Sequence, residues 1–105
     1  MLLARVVGTV VATRKDEGLS GQKFLLLRDL DARDGSDKAG HTVAVDAVGV
    51  GVGEVVLYAT GSAARQTRMT HERPCDGVIM ACVDTWEVDG EVVYRKTPAE
   101  GEWAS

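Results

Sequence analysis

Aromatic side chains are what this sequence most lacks. They make up 5% of residues, namely Phe24, Tyr58, Trp86, Tyr94 and Trp103. Proteins that grip single-stranded nucleic acid stack bases on exposed aromatics along a basic groove, so the shortage argues against that use. Basic charge is short as well. Lys and Arg total 12 against 16 Asp and Glu, a net charge of -4, whereas a polyanionic partner rewards the opposite balance. No apolar run reaches the length that spans a bilayer. The start, MLLARVVGTV, carries Arg5 inside its apolar stretch instead of the basic leader and unbroken apolar core of a secretory signal. The chain is expected to be soluble and cytosolic. Cysteines number two, Cys75 and Cys82, too few for a disulfide framework. Both read as reduced thiols, with Cys82 a small buried hydrophobe.

What is present is enough for one small domain. The chain has 105 residues, of which 45% are hydrophobic. A domain of this size buries only about two-thirds of the surface its unfolded chain exposes. Its stability margin is thin, and packing against copies of itself would widen it.

The dominant pattern is β. Over 2–13, Leu2, Ala4, Val6, Val10 and Ala12 share one parity, while Arg5, Thr9 and Thr13 share the other, as in a strand with one dry face. Gly8 interrupts the apolar parity, which marks a bulge or sharp bend. Further strands are expected over 23–30, 41–48, 54–60, 78–88 and 91–96. Residues 14–22 read as a polar turn and 31–40 as a mobile charged loop. Asp89-Gly90, between two apolar runs, predicts a two-residue hairpin turn. The segment 61–77 has no apolar period beyond one helical turn capped by Ser62. Residues 97–105 read as a loose tail. Five or six short strands with glycine-marked bends predict an all-β fold, a small OB-like barrel over 1–96, with a β-sandwich as the alternative.

Chemical motifs are incomplete. Gly49-Val50-Gly51-Val52-Gly53 spaces its third glycine one place early for a dinucleotide fingerprint. Val55-Val56-Leu57 then follows where a phosphate-binding helix would start. These glycines instead suit positive φ or close backbone approach in a tight connection. Gly61-Ser62-Ala63-Ala64 is not a hydrolase elbow, and His41 and His71 stand at no spacing that demands a triad. His41, His71, Cys75 and Cys82 lack metal-ligand spacing. The acidic run over 29–37 lacks the glycine and terminal glutamate of a calcium loop. No catalytic residue, cofactor or metal is expected. Arg65, Arg68 and Arg73 form a basic cluster interleaved with Glu72 and Asp76. An OB-type module for single-stranded nucleic acid is therefore the alternative reading.

Four stretches carry a resemblance: LLARVVGTVVATRK (2–15), LSGQKFLLL (19–27), AVDAVGVGVGEVVLYATGSAARQT (44–67) and RPCDGVIMACVDTWEV (73–88). In their residues and order they resemble the pentameric vertex proteins of bacterial microcompartment shells, the family of carboxysome and ethanolamine-utilisation vertex proteins. The departures are small-for-small, at Val50, Ala63, Gly77 and Ala81. The resemblance implies an OB-like barrel without catalysis. It implies a homopentamer in the bacterial cytoplasm that caps the vertices of an icosahedral shell and meets hexameric and trimeric facet proteins. A five-fold contact joins two different patches of one chain. It would be anchored by Arg65, with Asp84 or Asp46 as partner. The loops of Gly49, Gly51 and Gly53 would let neighbours approach, and Gly61 and Ser62 would border a central pore.

Overall fold

The computed structural model describes residues 1–11, 23–60 and 77–96. Within them run β1 (Leu2–Val10), β2 (Phe24–Leu30), β3 (Asp37–Asp46), β4 (Val55–Thr60), β5 (Gly77–Cys82), β6 (Thr85–Val88) and β7 (Glu91–Arg95). The polar turn over 14–22, the helical turn at Ser62, and the tail over 97–105 lie outside the described residues. Strands β1 to β5 close into a barrel in the order β1-β2-β3-β5-β4, and β4 returns to β1. That is the five-stranded Greek-key order of an OB barrel. The parallel seam is its shortest, with β3 and β5 paired only at Val45–Val78 and Asp46–Ile79.

Period-two patterning explains the closure. Inward residues Val6, Leu25, Leu27, Val56 and Ile79 are all fully buried in one core cluster with Tyr58. Tyr58 is long enough to carry its phenol to polar partners, donating to an Asp29 carboxylate oxygen beside Thr42 Oγ1. Burial, then the Asp29 carboxylate, pushes the Tyr58 hydroxyl up, so it stays a donor. Gly77 makes room for that ring. A Cβ there would lie 3.3 Å from Tyr58 Cδ2 and 3.5 Å from Ala44 Cβ. The bulge expected at Gly8 is present, where the β1–β2 register shifts between Val6 and Gly8.

Outward residues form two further clusters. Val45, Ala59 and Val78 pack with Phe24. Leu30, Val55 and Val83 pack with Leu3, Leu57, Trp86 and Tyr94, so the β6–β7 hairpin roofs the outer face of β1 and β4. The roof is pinned by Trp86 Nε1, which donates to Ala32 O at 2.9 Å, and by stacking of Trp86 on Tyr94 at 5.3 Å. The expected two-residue turn is there. Asp89 and Gly90 both take positive φ, 51° and 82°, as a type I′ hairpin requires.

Two boundaries differ from expectation. The strand expected over 78–88 is two strands. The Val83 N–H still reaches Val55 O at 2.8 Å, but at Asp84 the chain leaves the barrel, and Asp84 O takes the Lys96 N–H at 2.7 Å to open the hairpin ladder. An exposed carboxylate at the departure point keeps its charge in water while Val83 is buried. The charged segment 31–40 is not an open loop. Residues 31–36 form a closed turn, with Asp31 N–H to Ser36 O at 2.8 Å and Gly35 N–H to Asp31 O at 2.7 Å, and β3 starts at Asp37. Charged side chains there all face water, which a strand tolerates on its wet face.

Leu27 sits at the centre of the main core. Leu27→Ala is expected to lower stability by about 2–5 kcal/mol, measured by urea unfolding at fixed protein concentration. Leu26→Ala, on the half-buried outer face, is expected to cost under half as much.

Candidate functional site

The glycine-rich connection between β3 and β4 is built around one buried carboxylate. It begins at Asp46, whose side chain is 1% exposed. Asp46 Oδ1 accepts the N–H groups of Val48 at 2.9 Å and Gly49 at 2.8 Å, and Oδ2 accepts that of Val50 at 2.9 Å. Lys23 Nζ stands 3.7 Å from Oδ2 and donates to Val50 O at 3.0 Å. Burial pushes the Asp46 carboxyl up. The three backbone donors, and then Lys23, outweigh it and hold the group below the usual carboxylate range.

This carboxylate folds the loop back on itself. Gly49 and Gly53 take φ of 95° and 97°, a region that side chains oppose; Gly51 does not. The result is an alternation. Val50 points in and is buried in the main core, while Val48 and Val52 point out, 47% and 60% exposed. The far end is docked on β1. Gly53 N–H bonds Val6 O at 2.8 Å, Val6 N–H bonds Glu54 O at 2.8 Å, and Arg5 Nη1 donates to Gly53 O at 3.1 Å. The loop is thus a rigid mount that presents two valines to solvent.

Beside it, Glu54 Oε2 accepts from Cys82 Sγ at 2.9 Å and lies 3.8 Å from Lys96 Nζ. Burial first, then Glu54, pushes the Cys82 thiol up, so it remains a protonated donor rather than a nucleophile. An open groove of 540 Å³ between the 31–36 turn and the hairpin places Arg33, Asp34, Asp89 and Glu91 above a valine floor. It brings no nucleophile to a base. His41 lies exposed on β3, and among the described residues no three metal-ligating side chains converge.

Of the interface residues expected from sequence, Asp46, Gly49, Gly51 and Gly53 share this one loop. Asp84 lies on the β5–β6 connection, exposed. Arg65, Gly61 and Ser62 lie outside the described residues. Asp46 is committed to its own backbone, so its geometry is that of a loop organiser. Sequence reading missed Lys23, Arg5 and Glu54. The one signal for the loop was an aspartate three residues before a glycine, the pattern of a side chain that bonds its own turn. Among the described residues the aromatics offer no open platform for bases. Tyr58 is buried, Phe24 is packed on the Val45 cluster, and Trp86 and Tyr94 cover each other.

Residues 1–84 match the family described as ethanolamine utilisation protein EutN/carboxysome. The chain is 43% identical over 96 residues to the carboxysome shell vertex protein CcmL of Gloeobacter violaceus, across 91% of this chain and 95% of that one. The solved structure of that protein superposes with a TM-score of 0.86, covering 91% of this chain and 98% of that chain. Identity to the microcompartment shell vertex protein EutN of Salmonella typhimurium is 38% over 96 residues, covering 91% and 96% of the two chains. The structure of the pentameric microcompartment shell protein GrpN of Rhodospirillum rubrum has a TM-score of 0.75 at 41% identity, covering 84% of this chain and 99% of that one.

Asp46→Ala removes the acceptor from three N–H groups, one of them buried. It is expected to cost about 3 kcal/mol or more in denaturant unfolding. The pH dependence has a definite sign. Because the folded pKa lies below the unfolded value, the contribution is in place above an unfolded pKa of about 3.9. It is lost as pH falls through the lower folded value. Asp46→Asn should flatten the acid limb of the stability–pH curve; an unchanged acid limb would remove Asp46 from this role.

Proposed function

The chain belongs to the EutN/CcmL family of bacterial microcompartment shell vertex proteins, and from this we propose that it closes a vertex of an icosahedral shell as a homopentamer. Its work is structural. Flat hexagonal sheets cannot close into a shell, and five-fold units at the corners supply the missing curvature. The reading extends to contacts with hexameric and trimeric facet proteins, to a place in the shell within the bacterial cytoplasm, and to the absence of enzymatic activity.

The observation that carries the reading is the loop of Asp46. A small barrel spends a buried carboxylate and two positive-φ glycines to hold Val48 and Val52 against water. Exposed apolar groups on a rigid mount are what a partner surface covers. A cyclic contact of this kind joins unlike patches and must close on itself. Small residues at Gly49, Gly51 and Gly53 let a neighbour's backbone come close. Arg65 is proposed to anchor the contact from the β4–β5 connection, toward Asp84 of the adjoining copy or the Asp46 loop. Gly61 and Ser62 are proposed to border the axis.

Native mass spectrometry at micromolar concentration should give a discrete pentamer, and a monomer at all concentrations would contradict the assignment. Arg65→Glu should raise the ring's dissociation constant by about tenfold or more; an unaffected ring would remove Arg65 as anchor. An oligonucleotide titration at two salt concentrations should show no tight, salt-sensitive binding.

A further inference from the structure

Two exposed valines stand on the β3–β4 loop, and the two halves of that loop are held differently. Asp46 accepts the N–H groups of Val48, Gly49 and Val50 and reaches no further. Val52, 60% exposed, lies beyond it, between Gly51 and Gly53. The peptide unit that follows, Gly53 C=O with Glu54 N–H, has little backbone support. Its N–H meets Gly51 O at 3.3 Å, longer than an ordinary bond of this kind. Gly53 has a φ of 97° and no Cβ to resist rotation of its flanking peptides. What fixes the unit is its carbonyl, which accepts from Arg5 Nη1 at 3.1 Å.

Arg5 is itself held. It stands on the outer face of β1, opposite Val55 of β4 and between the buried Ala4 and Val6. Its guanidinium lies over the Tyr94 ring, 6.0 Å from the centroid, within reach of a cation–π contact. Tyr94 stacks on Trp86, and Trp86 Nε1 donates to Ala32 O. One side chain therefore joins the loop carbonyl to a ring that the hairpin and the 31–36 turn keep in place. A planar guanidinium suits that double contact, since it can donate along its edge and lie on an aromatic with its face.

A second tie runs the same way. Glu54 Oε2 lies 3.8 Å from the Nζ of Lys96, just past β7. Both side chains are partly exposed, and a solvated pair at that distance contributes little. Arg5 has the shorter contact and an aromatic surface beneath it, so it carries more of the connection between loop and hairpin.

We propose that Arg5 is the positioning residue of the loop's outer half: by bridging the Gly53 carbonyl and Tyr94, it makes the β6–β7 hairpin part of the support that presents Val52 to the neighbouring copy. The inference rests on the pentamer reading and deepens it. The hairpin contributes to the ring from a distance, through Arg5, without having to touch the adjoining chain. Asp46 sets Val48 and Arg5 sets Val52, so the two ends of the loop answer to different residues.

The test is amide hydrogen exchange resolved to single residues in the full chain, alongside the dissociation constant of the ring from native mass spectrometry on dilution. Arg5→Met keeps the aliphatic stem and removes the donors. It should speed exchange at the Gly53 and Glu54 amides about tenfold, the opening expected when one hydrogen bond to a charged donor is lost. The Val48, Gly49 and Val50 amides should keep their rates, and the ring's dissociation constant should rise about fivefold. Tyr94→Leu should speed the same two amides from outside the loop, whereas Tyr94→Phe, which keeps the ring, should leave them unchanged. Arg5→Met with Tyr94→Leu should go no further than Arg5→Met alone, because both remove one contact. Loosening that spreads to Val48, Gly49 and Val50, a Tyr94→Leu variant with normal exchange at Gly53 and Glu54, or effects that add in the combination would each overturn the bridge. So would a ring indifferent to Arg5→Met. An unmodified chain that never forms a ring overturns the pentamer reading, and the exchange pattern then decides the Arg5 bridge by itself.

Discussion

A single buried carboxylate organises the glycine-rich connection between β3 and β4. Asp46 lies at the last residue of β3, where the short parallel seam with β5 ends, and its oxygens gather the N–H groups of the residues that follow. Without that acceptor the loop would carry three donors that its own backbone does not satisfy, one of them buried. With it, a five-residue alternation of glycine and valine becomes a fixed shape, Val50 locked into the core and Val48 and Val52 held in water. Lys23 closes the other side through the Val50 carbonyl, so the loop's position is tied to the start of β2 as well as to β1.

The rest of the fold follows from covering a small barrel. Its interior is filled by aliphatic side chains and one tyrosine. The outside would leave Leu3, Leu57 and Val55 wet, and the hairpin of β6 and β7 roofs them. Among the described residues, the large hydrophobics left exposed within one chain include Val48 and Val52 on the loop, Val43 on β3, Val92 on the hairpin, and Leu2, Val7 and Met80 on β1 and β5. A 105-residue chain with these residues in water is short of burial, and the proposed association with copies of itself would supply the remainder. The family's description as vertex shell proteins fits a barrel built this way.

Much of the architecture was legible in the sequence because period-two patterning and turn chemistry act locally. Gly8 announced a bulge, and Asp89-Gly90 announced its hairpin. The break at Val83-Asp84 was not legible, since V-D-T-W-E-V keeps alternating as the chain leaves the barrel. Only the partner strands reveal the change, Val55 on one side and Arg95 on the other. The charged start of β3 was hidden for the complementary reason, as Asp37 to Gly40 have no apolar parity to read. At the β3–β4 loop the glycines pointed to tight geometry, but Asp46 looked like a charge for a neighbour. Its true bonds are to backbone N–H groups, which no side-chain pattern displays. Lys23 and Arg5 act on carbonyls from distant strands, and sequence distance concealed both.

The central claim is that this loop is a mount for a neighbouring copy. An experimental structure of the assembled protein tests it most directly. The account predicts five copies around one axis, with Val48 and Val52 covered by the adjoining chain and the Asp46 hydrogen bonds unchanged. A ring in which both valines still face solvent, or one in which Asp46 releases its loop to pair with a neighbour, would contradict it.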